Sequence, residues 1–396
     1  MSQRDRELPI VISGAGIAGL TTALFLSRYG FQVRLFEKAE KLETVGAGIQ
    51  ISPNAFKVLA QLGLEEKLMD ISAVPNHIHI CNGKNGKSIT SIPLGQTVVD
   101  RFGAPYCVTH RGDLQNLLLA ACKASSDIEI TYNSEIGGLE PNNGTELSIF
   151  IHQQDTVQAQ GVVVADGVWS KLRTSYCKQD TPVFSGKVAW RAMIPAKDVL
   201  LPEFLQNTFL WLSPGSHIVT YPVRGGAYLN AIVIVGADLP ASGDKEDFDG
   251  ALIANVIQGL NGELSRQLKE VDGWTAWPIF TTSFPPSWGF ERVALIGDAA
   301  HAMVPFAAQG AAMAIEDAAA LAKYLSEHSV QEAMLAFHSE RAHRLCKVAR
   351  LAKQNGKIYH LPEPFAFIRN LGMKIIPSDK LLERQAWIYS WTPDQL

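Results

Sequence analysis

The chain is expected to adopt an α/β fold in which parallel strands carry glycine turns, with an inserted antiparallel β-sheet and a helical C-terminal region. Three observations predict this. Gly14-Ala15-Gly16-Ile17-Ala18-Gly19, Asp166-Gly167 and Gly297-Asp298-Ala299-Ala300-His301 each follow a short apolar strand-like run and precede a helix-like one. Alternating segments such as Ile218-Val219-Thr220-Tyr221 and Leu229-Asn230-Ala231-Ile232-Val233 fill residues 187–235 and suit an antiparallel sheet. From Gln309 onward the pattern is mainly helical, with a long helix expected over 330–356 and a break at Pro362–Pro364.

Ile10-Val11-Ile12 is a β-branched run, too short for a helix and suited to a buried parallel strand. In the turn that follows, Gly14, Gly16 and Gly19 let the chain bend sharply and bring backbone N–H groups up to a pyrophosphate. The helix opening near Ile17 points its positive dipole end at that charge. A second strand, Gln32–Phe36, ends in Glu37, 18 residues beyond Gly19, where a carboxylate can accept the hydroxyls of an adenosine ribose. Together these form a Rossmann-like dinucleotide-binding unit. One such turn holds one phosphate; three returning to one place can hold a long dinucleotide.

A second β-rich stretch over 76–109, with hairpin-like turns at Asn82-Gly83 and Asn85-Gly86, is expected to join the antiparallel sheet. Asp5 and Glu7 interrupt the arginine-bearing start, so no signal peptide is expected. No run approaches the length of a membrane span, and the Ala-rich stretch 299–322 is broken by Pro305, Gly310, Glu316 and Asp317.

The composition is that of a soluble enzyme. The 396 residues leave room for two domains around an ample core. A net charge of −4 with no basic block argues against nucleic acid. The five cysteines show no CxxC spacing and suit a reducing cytoplasm. The ten histidines make no HExxH; His77 and His79 share one side of a strand but lack a third ligand, so no metal is expected.

With Asp166-Gly167, Ser170 and Arg173 in the middle and Gly297–His301 followed by Pro305, Gln309-Gly310 and Ala314–Asp317, the chain resembles the class A FAD-dependent aromatic monooxygenases. This is the p-hydroxybenzoate hydroxylase superfamily, and the salicylate hydroxylase and 3-hydroxybenzoate 6-hydroxylase type is the most similar within it. Gly46–Ile49, Pro53-Asn54, His110–Leu114, Ala189-Trp190-Arg191, Pro214–His217 and Tyr221-Pro222 support the likeness, which covers essentially the whole chain. It departs at Gly112, where relatives carry Ala, and at Ser390, where they often carry Gly. The resemblance implies an FAD-binding domain of residues 1–75, 110–180 and 290–325. It further implies a substrate-binding β-sheet domain of 76–109 and 181–289, and a helical region of 326–396.

Non-covalent FAD, NADH or NADPH as a transient reductant, and O2 are implied with it. Gly14, Gly16, Gly19, Glu37, Gly48, Arg111, Asp166, Asp298, Pro305, Gly310 and Ala311 are the cofactor-binding candidates. Asp298 would hold the ribityl chain, Arg111 the pyrophosphate or ribityl region, and Asp166 the pyrophosphate. The Gly-rich loop 45–50 would lie near the isoalloxazine. Pro305 and the helix from Gln309 would bring backbone N–H groups beside the flavin N1–C2 carbonyl, where reduced flavin is negative. His301 more naturally shapes its loop than moves a proton.

The family chemistry runs through a flavin C4a-hydroperoxide, an electrophile that needs an electron-rich ring. A phenol becomes richer when its proton leaves, so a general base is required, and His217, which titrates near neutral pH, matches the catalytic histidine of hydroxybenzoate-type relatives. Gln309 would orient the phenol. Arg191, Tyr221 and Pro305 are the substrate-binding candidates, Arg191 as a bidentate partner for a carboxylate, with flavin contact or bracing of the sheet as alternatives. The expected activity is hydroxylation of a small aromatic acid or phenol, with decarboxylation if the substrate is salicylate-like, by a cytoplasmic monomer or homodimer. A same-fold epoxidase or non-aromatic monooxygenase, and a non-catalytic flavin-binding protein, stay open as alternatives. A simple NAD-dependent dehydrogenase leaves two of the three motifs unexplained. Trp274–Ile279 resembles a flavin-halogenase segment only superficially, since its tryptophans are wrongly spaced.

Overall fold

The three expected turns and Glu37 meet because their strands are neighbours. In the computed structural model, which describes residues 8–42, 48–142, 146–152, 156–241, 247–260, 262–283 and 288–395, strands Val293–Leu295, Gly161–Val164, Ile10–Ser13 and Val33–Phe36 lie side by side in that order, all parallel. Parallel strands end at the same edge of a sheet. Their carboxyl ends therefore bring Gly297-Asp298, Asp166-Gly167, the Gly14–Gly19 turn and Glu37 together. Ile128–Thr131 extends the sheet beyond Val33–Phe36, and Gly289–Phe290 closes the other edge antiparallel. Helices Ile17–Arg28, Arg111–Lys123 and Gly310–Glu327 pack around this sheet.

The alternating segments form a seven-stranded sheet. Its order is Thr275–Thr281, Val183–Pro195, Tyr228–Gly236, Ser216–Val223, Thr208–Ser213, His77–Asn82 and Ser88–Pro93. It is antiparallel except between Thr208–Ser213 and His77–Asn82. Period-two alternation gives it two apolar faces. Trp190, Trp211, Ile218 and Val233 pack against helices Ala251–Gln258 and Glu263–Lys269, while Ala189, His217, Val219 and Ile234 face the glycine turns.

The 76–109 stretch differs from its expectation. Its hairpin supplies two strands to this sheet, but Gly95–Phe102 is a helix that buries Val98 and Phe102 one turn apart. Cys107–His110 pairs instead with Gly48–Ile51 and Ser72–Ala73 in a small antiparallel sheet. An antiparallel meander, Ile136–Asn142, Glu146–Ile151 and Val157–Ala159, precedes the Gly161 strand. The long C-terminal helix runs from Val330 to Tyr359, opened by a capping box of Ser329 and Glu332. Short helices Phe365–Ile375, Ser378–Glu383 and Ala386–Tyr389 follow. Among the described residues no helix is long and apolar enough to cross a membrane.

Candidate active site

The turn edge of the parallel sheet and the inner face of the large sheet enclose a cavity of about 860 Å³. The three glycines of the first turn serve different ends. Gly14 has φ +101°, and a Cβ there would meet the Ala165 carbonyl oxygen at 2.6 Å; at Gly19 it would meet the Gly14 oxygen at 2.0 Å. At Gly16 nothing lies within 4 Å, and the residue opens onto the cavity. Two glycines thus close the turn and the third leaves room above the helix start, which no side chain caps. Glu37 braces the same turn, accepting from Ala15 N at 2.8 Å and Ala39 N at 2.9 Å. Its remaining lone pairs are available to a ribose.

Asp166 lines the cavity, and its Oδ1 has no hydrogen-bond partner among the described residues. Burial pushes its carboxyl up to about 6, against the pull of Ser170. Ser170 caps the short helix that follows, accepting from Arg173 N at 3.0 Å. Arg173 is fully buried and donates to the carbonyls of Ala299 and Ala300 at 2.8 and 3.0 Å, and to those of Asp180 and Ser283. This arginine fastens the Asp166 segment to the Gly297–His301 segment. Asp298 is the first residue of that helical turn, caps nothing, and lies exposed on the cavity wall. His301 points the other way, buried against Asp317 at 2.5 Å.

Pro305, Gly310 and Ala311 line the cavity where helix Gly310–Glu327 opens. Gln309 does not. Its amide turns inward, donating to Ser52 Oγ at 3.0 Å and accepting from Asn54 Nδ2 at 3.3 Å, and Asn54 donates onward to Glu316 at 2.7 Å. The expected contact of Gln309 with a phenol is corrected accordingly: a buried amide takes the partners that satisfy it, and here they lie behind the cavity wall. Arg111 begins helix Arg111–Lys123 and faces the cavity, while neighbouring Asp113 pairs with Arg224 at 2.9 Å.

Residues 45–47 of the Gly-rich loop fall outside the described residues; Gly48 starts a strand on the cavity wall. A Cβ at Gly48 would sit 2.4 Å from the Tyr221 ring. Gly48 N donates to Asn230 at 3.0 Å, and the Tyr221 hydroxyl donates to Gly48 O at 2.5 Å. Tyr221 therefore offers the cavity its ring and not its hydroxyl. Arg191 lies 5.2 Å above the Trp277 ring, with a buried Nε that has no hydrogen-bond partner.

His217, on strand Ser216–Val223, is 2% exposed and reaches the cavity. Its Nδ1 lies 2.7 Å from Nε2 of His360, and Phe306 and Tyr359 stand edge-on to its ring at 5.1 and 5.3 Å. Burial first, then His360 and Lys187, hold its imidazole well below the ordinary range, so it rests neutral. His360 has no counterpart in the sequence reading. It lies 143 residues away, beyond the end of the long helix, with no local motif to mark it.

These residues fit an FAD. Gly16 leaves open space, two uncapped helix N-termini face the cavity, Asp166 Oδ1 has no hydrogen-bond partner among the described residues, and Asp298 lies exposed on the wall. A family model described as an FAD binding domain matches residues 7–352. The chain is 30% identical over 386 residues to 3-hydroxybenzoate 6-hydroxylase from Klebsiella oxytoca, covering 97% of each. It is 32% identical over 368 residues to 6-hydroxynicotinate 3-monooxygenase from Pseudomonas fluorescens, covering 90% of this chain and 92% of that one. Its fold matches a salicylate hydroxylase substrate complex with TM-score 0.81 at 22% identity, over 98% and 97% of the two chains. It also matches Klebsiella pneumoniae HpxO complexed with FAD and uric acid, with TM-score 0.84 at 19% identity, over 96% of each.

Proposed function

The chain belongs to the FAD-binding family of class A flavoprotein monooxygenases, and from that premise we propose that it hydroxylates a small aromatic acid or phenol in the cytoplasm, with His217 as the base. When bound, FAD takes electrons from NADH or NADPH and activates O2 so that one oxygen atom reaches the ring. The protein supplies the rest. Gly16 and the start of helix Ile17–Arg28 receive the pyrophosphate, Glu37 the ribose, and Asp298 the ribityl hydroxyls. Arg111 offers a cation to the same phosphates. The N-terminus of helix Gly310–Glu327 provides a positive end for the flavin ring.

On the opposite wall, Val219, Ile232 and Ile234 present an apolar surface that keeps water from the reacting ring. Arg191, held over Trp277 with a buried Nε that has no hydrogen-bond partner among the described residues, suits a substrate carboxylate. His217 Nε2 removes the phenolic proton and so makes the ring electron-rich. The observation that carries this reading is a buried, neutral histidine on the cavity wall whose other nitrogen is already engaged.

The test is NADH and NADPH oxidation by the FAD-loaded protein against a panel of hydroxybenzoates, hydroxypyridine acids and simple phenols, with product and hydrogen peroxide measured together. A compound that speeds oxidation and is itself hydroxylated, with little peroxide, is the expected result. Peroxide alone from every phenol would reject the phenol reading.

A further inference from the structure

We propose that His360 positions His217 and carries the phenolic proton from the cavity to the surface, an inference that rests on His217 being the base. His217 has few neighbours able to hold a proton. Among the described residues its ring meets Phe306 and Tyr359 edge-on and one polar group, the Nε2 of His360 at 2.7 Å. The charged groups felt by the pair are cations, Lys187 and Arg369, and the Tyr359 phenol is held neutral by burial, pushed up to about 12. Among the described residues no carboxylate acts on either ring as one acts on His301. A proton taken up by His217 is therefore neither stabilised where it lands nor shared with an acid, and it must leave.

The geometry gives one way out. A 2.7 Å N···N contact needs one proton between the rings. With His217 protonated on Nδ1, its Nε2 presents a lone pair to the cavity and His360 accepts on Nε2. The phenolic O–H bond then breaks as Nε2–H forms on His217. The Nδ1 proton moves to His360 Nε2, and His360 releases its own Nδ1 proton to water. Both rings finish as Nε2–H tautomers, in which His217 is a donor able to return a proton to the hydroxylated product, and the reverse sequence restores the starting state. His360 is half-buried, and its Nδ1 has no hydrogen-bond partner among the described residues. It also closes helix Val330–Tyr359, whose negative end favours the transient imidazolium. Its imidazole rests neutral, lowered to about 4 by burial and then by Lys187 and Arg369, so it does not trap the proton.

The experiment uses the full FAD-loaded chain labelled with 15N-histidine, without substrate. Signals are assigned by their loss in His217→Asn, His360→Gln and His360→Ala. In the wild type His217 is expected to carry its proton on Nδ1. His360→Gln should preserve that tautomer, because its amide oxygen still accepts, yet slow exchange of the Nδ1 proton with water by roughly 10-fold or more, since an amide cannot relay a proton. His360→Ala should leave a mixture of tautomers. A wild-type proton on Nε2, an unaltered tautomer in His360→Ala, or unchanged exchange in His360→Gln would each overturn the proposal. Hydroxylation separates the two readings. If His217→Asn abolishes it while exchange in His360→Gln is unmoved, only the exit fails; if His217→Asn hydroxylates normally, the base assignment falls and the exit with it.

Discussion

His301 and His217 are equally buried, at 1% and 2% exposure, yet they keep different company. His301 donates to Asp317 at 2.5 Å inside a cluster of ions. There Arg341 bridges Glu316 at 2.8 Å and Asp317 at 2.9 Å, and Arg344 adds a second cation to Glu316 at 2.7 Å. Burial opposes ionisation of Asp317, but His301 and Arg341 together outweigh it and hold the carboxyl below its usual range. Among the described residues the hydrogen-bond partner of the His217 ring is another imidazole, with two aromatic rings edge-on beside it. Compensated charges in a buried site are expensive to separate and so fix geometry, whereas two neutral rings sharing one proton can change state at little cost. The ionic cluster accordingly stands behind helix Gly310–Glu327, reaching Gln309 through Asn54 and holding the carbonyls of Trp387 and Ile388 at 2.9 and 3.0 Å. The imidazole pair stands on the cavity.

The contrast can be broken most forcefully at Arg341. Arg341→Met leaves Glu316 and Asp317 short of a cation, and a loss of about 3–5 kcal/mol is expected in urea denaturation of the FAD-loaded protein. A loss below about 1 kcal/mol would show that the cluster is not a set of obligate ion pairs. His217→Asn should act in the opposite sense, lowering coupled hydroxylation by roughly 100-fold while FAD content and melting temperature hold. Equal falls in stability and activity would place His217 in the same structural class as Arg341.

His301→Gln sharpens the comparison at smaller scale. A stability loss of about 1–3 kcal/mol is expected from the disturbed bond to Asp317. The pH profile of hydroxylation should not move, because His301 faces away from the cavity. The mildest effect concerns acid. An unfolded His360 takes up a proton near 6.5, while the folded one waits until about 4. The wild type therefore has its full stability above the first value and loses it as pH falls toward the second. His360→Gln lacks this loss, so melting curves of the two proteins should converge or cross as pH falls, by about 1 kcal/mol near pH 5.5. A constant difference across that window would mean that His360 titrates normally in the folded chain.

Much of the cofactor side was legible from residue order alone. The Gly14–Gly19 turn, Glu37, Asp166 and Asp298 each begin within three residues of a strand end, and a strand–turn–helix unit is specified by residues a few positions apart. Parallel pairing of the four strands then forces their ends together. His217 is marked by its match to the catalytic histidine of hydroxybenzoate-type relatives, and its strand brings it to the cavity wall. Local residue order was thus enough for the backbone scaffold and for the turns that gather at one edge of the parallel sheet. Which partners the polar side chains take was settled by packing between distant segments. The Tyr221 hydroxyl goes to Gly48, 173 residues away, Gln309 to Ser52, 257 away, and His217 to His360, 143 away. Periodicity fixes which face a side chain occupies, but a buried donor chooses its acceptor by distance in space, and that distance exists only once the chain has folded.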